Sequence, residues 1–187
     1  MLEKDYYYSR AGDDGMSSLI GGRRLSKGAL RFQAIGTLEE VSSTIGLARL
    51  IVRDVDTKID AILNMIQKDL IDVISDLSAP IAKEIDYESI RVSAEHTDKL
   101  EICIDQLTAR SSAAYFHVLD SHNAASVYLH HTKVVARRAE RTVVALSHSQ
   151  GELVGHAVLS YLNRLSSFLF AAEVFLNNAG KAEEKKS

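Results

Sequence analysis

Proline is nearly missing from this chain. Pro80 is the single one, and five of the ten glycines (Gly12, Gly15, Gly21, Gly22 and Gly28) are gathered into one short stretch. Long segments free of both residues favour uninterrupted helices and argue against a sandwich or barrel, which need frequent turns. Cysteine is as scarce. Cys103 stands alone, so no internal disulfide can form, and a reducing compartment is its natural setting. With Leu100, Ile104 and Leu107 at helical spacing around it, it reads as a small buried hydrophobe rather than a nucleophile. No apolar run approaches about 18 residues and no secretory pattern begins at Met1, so a soluble, cytoplasmic protein without a membrane partner is expected. Nor does one sign of charge dominate. A formal net charge of −3 over 187 residues supplies no field for nucleic acid, and only residues 22–31 are locally basic. At 46% hydrophobic and 25% charged, the composition is that of an ordinary globular protein, and residues 1–187 fit a single domain able to bury a core.

Against these absences stands the stretch from Tyr8 to Arg31. It joins the five clustered glycines to the acidic pair Asp13 and Asp14 and to the bases Arg10, Arg23, Arg24, Lys27 and Arg31. Glycines let a backbone take positive φ and turn its N–H groups toward a ligand, while bases neutralise an anion. The stretch runs straight into a helix, whose N-terminus also favours negative charge. It reads as a phosphate-holding loop, mostly irregular, with a few extended residues at Tyr6 to Tyr8.

From Ala29 onward the period is helical. Ala34, Leu38, Val41, Ile45, Ala48 and Val52 make one face of a first helix. Ile59, Ile62, Leu63, Ile66, Leu70, Val73, Ile74 and Leu77 mark a second, with Asp56 as its N-cap and Pro80 just past its end. Residues 79–90 read as a connection, and a third helix begins near Ser93. Residues 111–122 break the pattern. A fourth helix spans Asn123 to Ser147, its apolar side carried by Val127, Val134, Val135, Val143 and Leu146. A fifth carries Val154, Val158, Tyr161, Leu162, Leu165, Phe168, Leu169, Ala172 and Leu176. The expectation is an all-α, five-helix bundle over 29–178, preceded by a nucleotide-binding loop over 1–28 and followed by a disordered tail over 179–187.

The fourth helix carries an anomaly. Lys133, Arg137, Glu140 and Arg141 share one face at spacings of i, i+4, i+7 and i+8. Such a face is ordinarily a solvated, salt-bridged exterior. Here the bases outnumber the acids, and polar residues also interrupt the first helix (Glu39, Ser42, Ser43, Gly46) and the fifth (Asn163, Arg164, Ser166, Ser167). Three polar stripes and a glycine-rich loop can enclose one cleft, and guanidinium groups there suit a polyphosphate because they grip oxygens in pairs.

These residues resemble the PduO-type ATP:corrinoid adenosyltransferases. The likeness covers Tyr8 to about Phe170 and rests on SRAGDDG at 9–15, R-x-x-A-x-G-T from Arg31 to Thr37, RRAER at 137–141 and YLNRLS at 161–166. It implies a five-helix bundle assembled as a homotrimer, with ATP and cobalamin (the substrate corrinoid) held between neighbouring subunits. Cob(I)alamin would attack C5′ of ATP and displace triphosphate, the protein supplying position and electrostatics. By the same likeness Ser9, Arg10, Gly12, Asp13, Gly15, Ser17 and Lys27 would line the ATP site. Arg137 would hold the triphosphate as charge builds on it. Glu140 would order that arginine or the nucleotide, Asn163 would reach ATP from the fifth helix, and Mg2+ would ride on the phosphates. A reductase or an adenosylcobalamin-dependent enzyme is the further partner this implies.

The departures from the family pattern are informative. Glu39 and Lys133 stand where the family usually has a salt-bridged aspartate and arginine, and the two are expected to pair with weaker orientation. His117 aligns with the phenylalanine that keeps a lower ligand off cobalt, and Asp120-Ser121-His122 replaces a Pro-Gly-Gly turn. His117 could ligate cobalt, or stand as an ordinary loop histidine while Phe116 takes the aromatic role. With Ser43, these two make the expected corrinoid side. Ser167 and Ala136 replace residues that are commonly aspartate and cysteine, so the ATP half is better preserved than the corrinoid half. No H-x-x-x-H or H-E-x-x-H spacing and no inward Glu-x-x-His pair occurs, so neither a zinc site nor a di-iron site is expected. An adenosyltransferase is the leading reading. A non-catalytic ATP- or corrinoid-binding bundle, acting as carrier or regulator, is the alternative that the altered 117–122 loop keeps open. An interaction bundle without ligand conflicts with the loop at 9–31.

Overall fold

The computed structural model describes residues 8–79, 91–110 and 123–184. Residues 80–90 of the connection expected at 79–90 and the break at 111–122, with Phe116 and His117, lie outside the described residues, as do Tyr6 and Tyr7. Five helices follow a short hairpin: β1 Met16–Ser18, β2 Arg24–Ser26, α1 Leu30–Val55, α2 Thr57–Ser78, α3 Ala94–Arg110, α4 Ala124–Ser147 and α5 His156–Glu184.

The apolar stripes drive this arrangement. All six α1 positions read from the pattern, Ala34 through Val52, are fully buried. On α2, Ile59, Leu63, Ile66, Leu70, Val73 and Leu77 are buried, while Ile62 and Ile74 pack at the margin. A single residue connects α1 to α2. Asp56 ends the first helix in extended backbone and its carboxylate accepts from Lys58 N and Ile59 N, so one side chain satisfies two of the orphan donors of α2. The two helices therefore run antiparallel, cross-linked by Arg49 to Asp60 and by Gln67 Nε2 to the Ser42 carbonyl.

The packing order across the bundle is α2, α1, α4, α5, α3, and polar contacts close α2 back onto α3 and α5. Tyr161 donates to Asp69 at 3.1 Å, and Val92 N donates to Asp76. Burial raises the Asp69 carboxyl above its ordinary value, and together with the Asp69 charge pushes the Tyr161 phenol upward. Asp69, Asp72 and His96 offer ligand atoms within 4.8 Å of one another. Tyr161 and the Ser93–His96 contact already engage two of the three, and the group acts as a polar tie among three helices.

Three expectations change. The opening stretch is not simply irregular, since β1 and β2 pair antiparallel with Ser17 opposite Leu25. Strands of three residues are too short to display alternation. On α4, Val127 and Val134 are 46% and 51% exposed, whereas Ala125, Leu129, Thr132, Ala136, Ala139, Val143 and Leu146 face inward with Val135. The inward stripe is built largely from small residues, so the larger valines misled a reading by hydrophobicity. Small side chains let α1 and α5 flank α4 closely, and Thr132 Oγ1 reaches the Thr44 carbonyl of α1. Finally, α5 continues through Glu184, into residues expected to be tail. Alanine, lysine and glutamate are good helix formers, and extending a helix is far easier than starting one. Among the described residues, no helix is long and apolar enough to cross a membrane.

Candidate functional site

The glycine-rich stretch is a knotted loop. Arg10 sits at φ +62°, in the left-handed region that a non-glycine side chain seldom takes, and its carbonyl accepts from Asp13 N. Gly15 N donates to the Gly12 carbonyl, and Ser9 Oγ accepts from Ala11 N. The resulting turn is tied down by the second strand and its exit. Arg24 Nη2 donates to the Ala11 carbonyl and to the Asp14 carboxylate, and Lys27 Nζ donates to the Gly12 carbonyl at 2.8 Å. A Cβ on Gly12 would lie 2.7 Å from that ammonium, so a side chain there would push the flexible tip of Lys27 off its carbonyl. Gly15, Gly21 and Gly22 take φ between +78° and +89°, which only glycine adopts freely.

The loop is anchored below by a buried guanidinium. Arg31 is 1% exposed. Its Nε and Nη2 donate to Glu152 Oε2 at 2.8 and 2.6 Å, its Nη1 to the Leu77 carbonyl, and its Nη2 to the Leu153 carbonyl. Ile20 N donates to the Ser78 carbonyl and Leu19 is buried, so the hairpin rests on the C-terminal end of α2. Two orphan carbonyls of that helix thereby find donors.

The structure brings together Ser9, Arg10, Gly12, Asp13, Gly15 and Lys27, with Ser17 on the adjoining strand. It does not join them to α4 within one chain. Arg138 pairs with Glu40 and Thr132 bonds to Thr44, which sets α4 antiparallel to α1 and places Arg137 about 14 Å along the axis from Arg31. Arg137 is exposed and Glu140 half-buried, and neither has a hydrogen bond or ion pair among the described residues. Asn163 is exposed on α5, its carbonyl accepting from Ser166 and Ser167. Ser43 is exposed on α1 and donates to the Glu39 carbonyl.

The expected pairing of Lys133 with Glu39 is not made within the chain. Lys133 Nζ donates instead to Glu173 Oε2 at 2.7 Å and lies over the Phe170 ring, while His130 Nδ1 stands 2.9 Å from Glu173 Oε1. Glu173 is 0% exposed, and a buried carboxylate draws whichever cation can reach it. Glu39 remains on the surface. Sequence reasoning missed Glu173, although a lone acid in an otherwise apolar stripe was the available signal. It also missed Glu152, for which no local pattern gave notice.

The comparisons with known proteins bear directly on this architecture. The family model for cobalamin adenosyltransferase matches residues 7–176. The chain belongs to the cobalamin adenosyltransferase family. A corrinoid adenosyltransferase of Mycobacterium leprae is 36% identical over 166 residues, covering 87% of this chain and 86% of that one. One from Bacillus subtilis is 37% identical over 172 residues, covering 91% and 86%. In solved structures, a phenylalanine-to-alanine variant of the PduO-type ATP:corrinoid adenosyltransferase from Lactobacillus reuteri, complexed with cobalamin and ATP, superposes with a TM-score of 0.83. Its identity is 30%, over 92% of this chain and 93% of that one. An arginine-to-lysine variant complexed with ATP gives a TM-score of 0.80 at 29% identity. This adenosyltransferase therefore shares sequence over most of its length, and its helical bundle, with corrinoid adenosyltransferases.

Proposed function

We propose that this adenosyltransferase transfers the 5′-deoxyadenosyl group of ATP to a cob(I)alamin-type corrinoid at a site completed by a second copy of the chain. The observation that carries the proposal is a division among the cations. Arg31, Lys133, Arg24 and Lys27 are engaged in holding the fold and the loop. Arg137 and Arg141 on α4 stand exposed with no partner among the described residues. Uncompensated guanidinium groups on an ordered helix are suited to an anion that arrives with the substrate.

In this reading the loop of one subunit and the α4 face of a neighbour converge on the triphosphate. The cobalt lone pair forms a bond to C5′ as the C5′–O bond breaks, and triphosphate departs with the electron pair. Arg137 binds the leaving group more strongly as its charge grows, which lowers the barrier. Glu140, one turn along the same helix and without a partner of its own among the described residues, would order that arginine or the nucleotide once ATP is bound. Self-association, as a trimer in this reading, is supported by α1, where Ser43, Leu47 and Leu50 form one outward stripe. Leu47 and Leu50 are more than half exposed, and Tyr128 and Val134 of α4 are exposed as well.

The test is incubation of the purified protein with ATP, magnesium and chemically reduced cobalamin, following the light-sensitive adenosylated product and released triphosphate. Light scattering reports the assembly state. Product formation that R137M abolishes supports the reading. ATP and corrinoid binding without product would instead favour a carrier.

A further inference from the structure

Glu152 lies on the turn before α5, 121 residues from Arg31 in sequence, yet its two carboxylate oxygens divide between the bundle and the loop. Oε2 takes the buried Arg31, while Oε1 faces Arg23 Nη2 at 3.5 Å. Arg23 closes the turn between β1 and β2, where its carbonyl accepts from Leu19 N. The next residue, Arg24, grips the Ala11 carbonyl and Asp14, and Lys27 grips the Gly12 carbonyl. Polar contacts, joined through the backbone between Arg23 and Arg24, thus link the α4–α5 turn to the backbone of the 9–15 turn.

We propose that Glu152 is a positioning residue that holds the nucleotide loop, through Arg23 and Arg31, in the shape that receives ATP. This rests on the reading of residues 9–27 as the nucleotide site. The physical reason is preorganisation. A loop already fixed on the bundle loses little conformational freedom when ligand binds, whereas a released loop must be ordered at the expense of affinity. Arg31 makes the brace firm, because a fully buried guanidinium with four hydrogen bonds cannot give up its carboxylate without leaving an uncompensated charge. Arg23 makes it reach the loop. Nothing in this chain of contacts touches a reacting atom, so the effect belongs to nucleotide binding and not to the transfer step.

Three variants test this: R23M, E152Q and the double variant. ATP affinity is measured without corrinoid, KM for ATP and kcat are measured with it, and hydrogen exchange is followed at Leu19–Gly22. R23M is expected to weaken ATP binding about threefold, the scale of a half-exposed ion pair. E152Q is expected to weaken it by at least as much, the double variant no further than E152Q, and kcat to stay within about twofold throughout. R23K should recover most of the loss. Amides of Leu19 and Ile20 should exchange faster while those of α1 and α4 keep their protection.

Additive losses, or tighter ATP binding in E152Q, would mean that Arg23 meets the phosphates directly and would overturn the proposal. ATP binding by the unaltered protein that R23M and E152Q leave unchanged removes the proposal alone, whereas no ATP binding by the unaltered protein removes the nucleotide reading with it. Should E152Q fail to fold, R23M still decides, since it leaves Arg31 paired.

Discussion

Replacing Lys133 by methionine removes one ammonium and little else, because methionine keeps the apolar stem that lies against Phe170. What remains is Glu173, at 0% exposed, with its Oε2 stripped of a donor that stood 2.7 Å away. His130 still faces Oε1 at 2.9 Å, so the carboxylate is not wholly orphaned. Breaking a buried pair by removing one partner costs about 3–5 kcal/mol, and the surviving histidine contact argues for the lower end, about 3 kcal/mol. For a chain of this size about 1 kcal/mol moves Tm by about 2–4 °C, so K133M should melt about 6–12 °C lower. Removing both charges as K133M/E173L should return the protein to within about 1 kcal/mol of the parent, since neither charge is then stranded. Circular dichroism melts and urea titrations at one fixed protein concentration provide the assay. A K133M loss under about 1 kcal/mol, or a double variant no more stable than K133M, would refute the pairing. E39A is the control: with Glu39 on the surface it should change stability by less than about 0.5 kcal/mol. A loss matching that of K133M would restore Glu39 as the partner.

R137M should leave Tm unchanged, because Arg137 has no side-chain partner among the described residues, yet slow adenosyl transfer about 100-fold, as loss of a charge-stabilising donor does. G12A should displace the Lys27 ammonium, which the new methyl group would meet at 2.7 Å, and should raise KM for ATP about threefold, the size of one lost loop contact. Asp69 gives a pH test. Burial raises its carboxyl pKa, so the folded state holds that proton more tightly than the unfolded one. Its favourable contribution is complete below the unfolded value near about 3.9 and is lost as pH rises through the folded value. D69N cannot ionise, so its stability relative to the parent should improve between pH 4 and pH 7. Urea midpoints that run parallel across that range would contradict the assignment.

Much of the bundle was legible because burial follows period. The α1 stripe from Ala34 to Val52 is apolar where it is buried, and Asp56 caps α2 by the local chemistry that its sequence context suggests. Legibility failed where hydrophobicity and burial part company. The inward face of α4 mixes alanine, serine and threonine with Leu129, Val135, Val143 and Leu146, while Val127 and Val134, apolar in sequence, face out. The hairpin at 16–26 is set by contacts with α2 and Arg24 rather than by any alternation of its own. The Lys133–Glu173 pair and the Arg31–Glu152 brace join positions 40 and 121 residues apart. No window of sequence contains both ends of either. Family likeness could name Lys133 as important but not the acid it meets, because that choice depends on which carboxylate the fold buries.

The charges of this adenosyltransferase fall into two groups with different physical reasons for being where they are. Buried ones are compensated to completion: Arg31 by a carboxylate and two carbonyls, Glu173 by an ammonium and an imidazole. They have to be, since an unpaired charge in the interior costs several kcal/mol. Exposed ones carry no such obligation, and a helix can keep Arg137 and Arg141 unpaired at little cost because water solvates them. That freedom is what a binding face needs: a guanidinium already satisfied inside its own chain would have to break that contact before it could receive a phosphate. The same logic explains why Arg24 and Lys27 engage backbone carbonyls of the loop while Arg10, at positive φ, lies over the Tyr8 ring with no ion pair among the described residues. The loop is braced from below and open above. In the proposed site a substrate anion would bridge Arg10 on the loop and Arg137 with Arg141 on α4. Within one chain they stand apart along the bundle axis, which is the reason the proposed site takes its second half from a neighbouring copy.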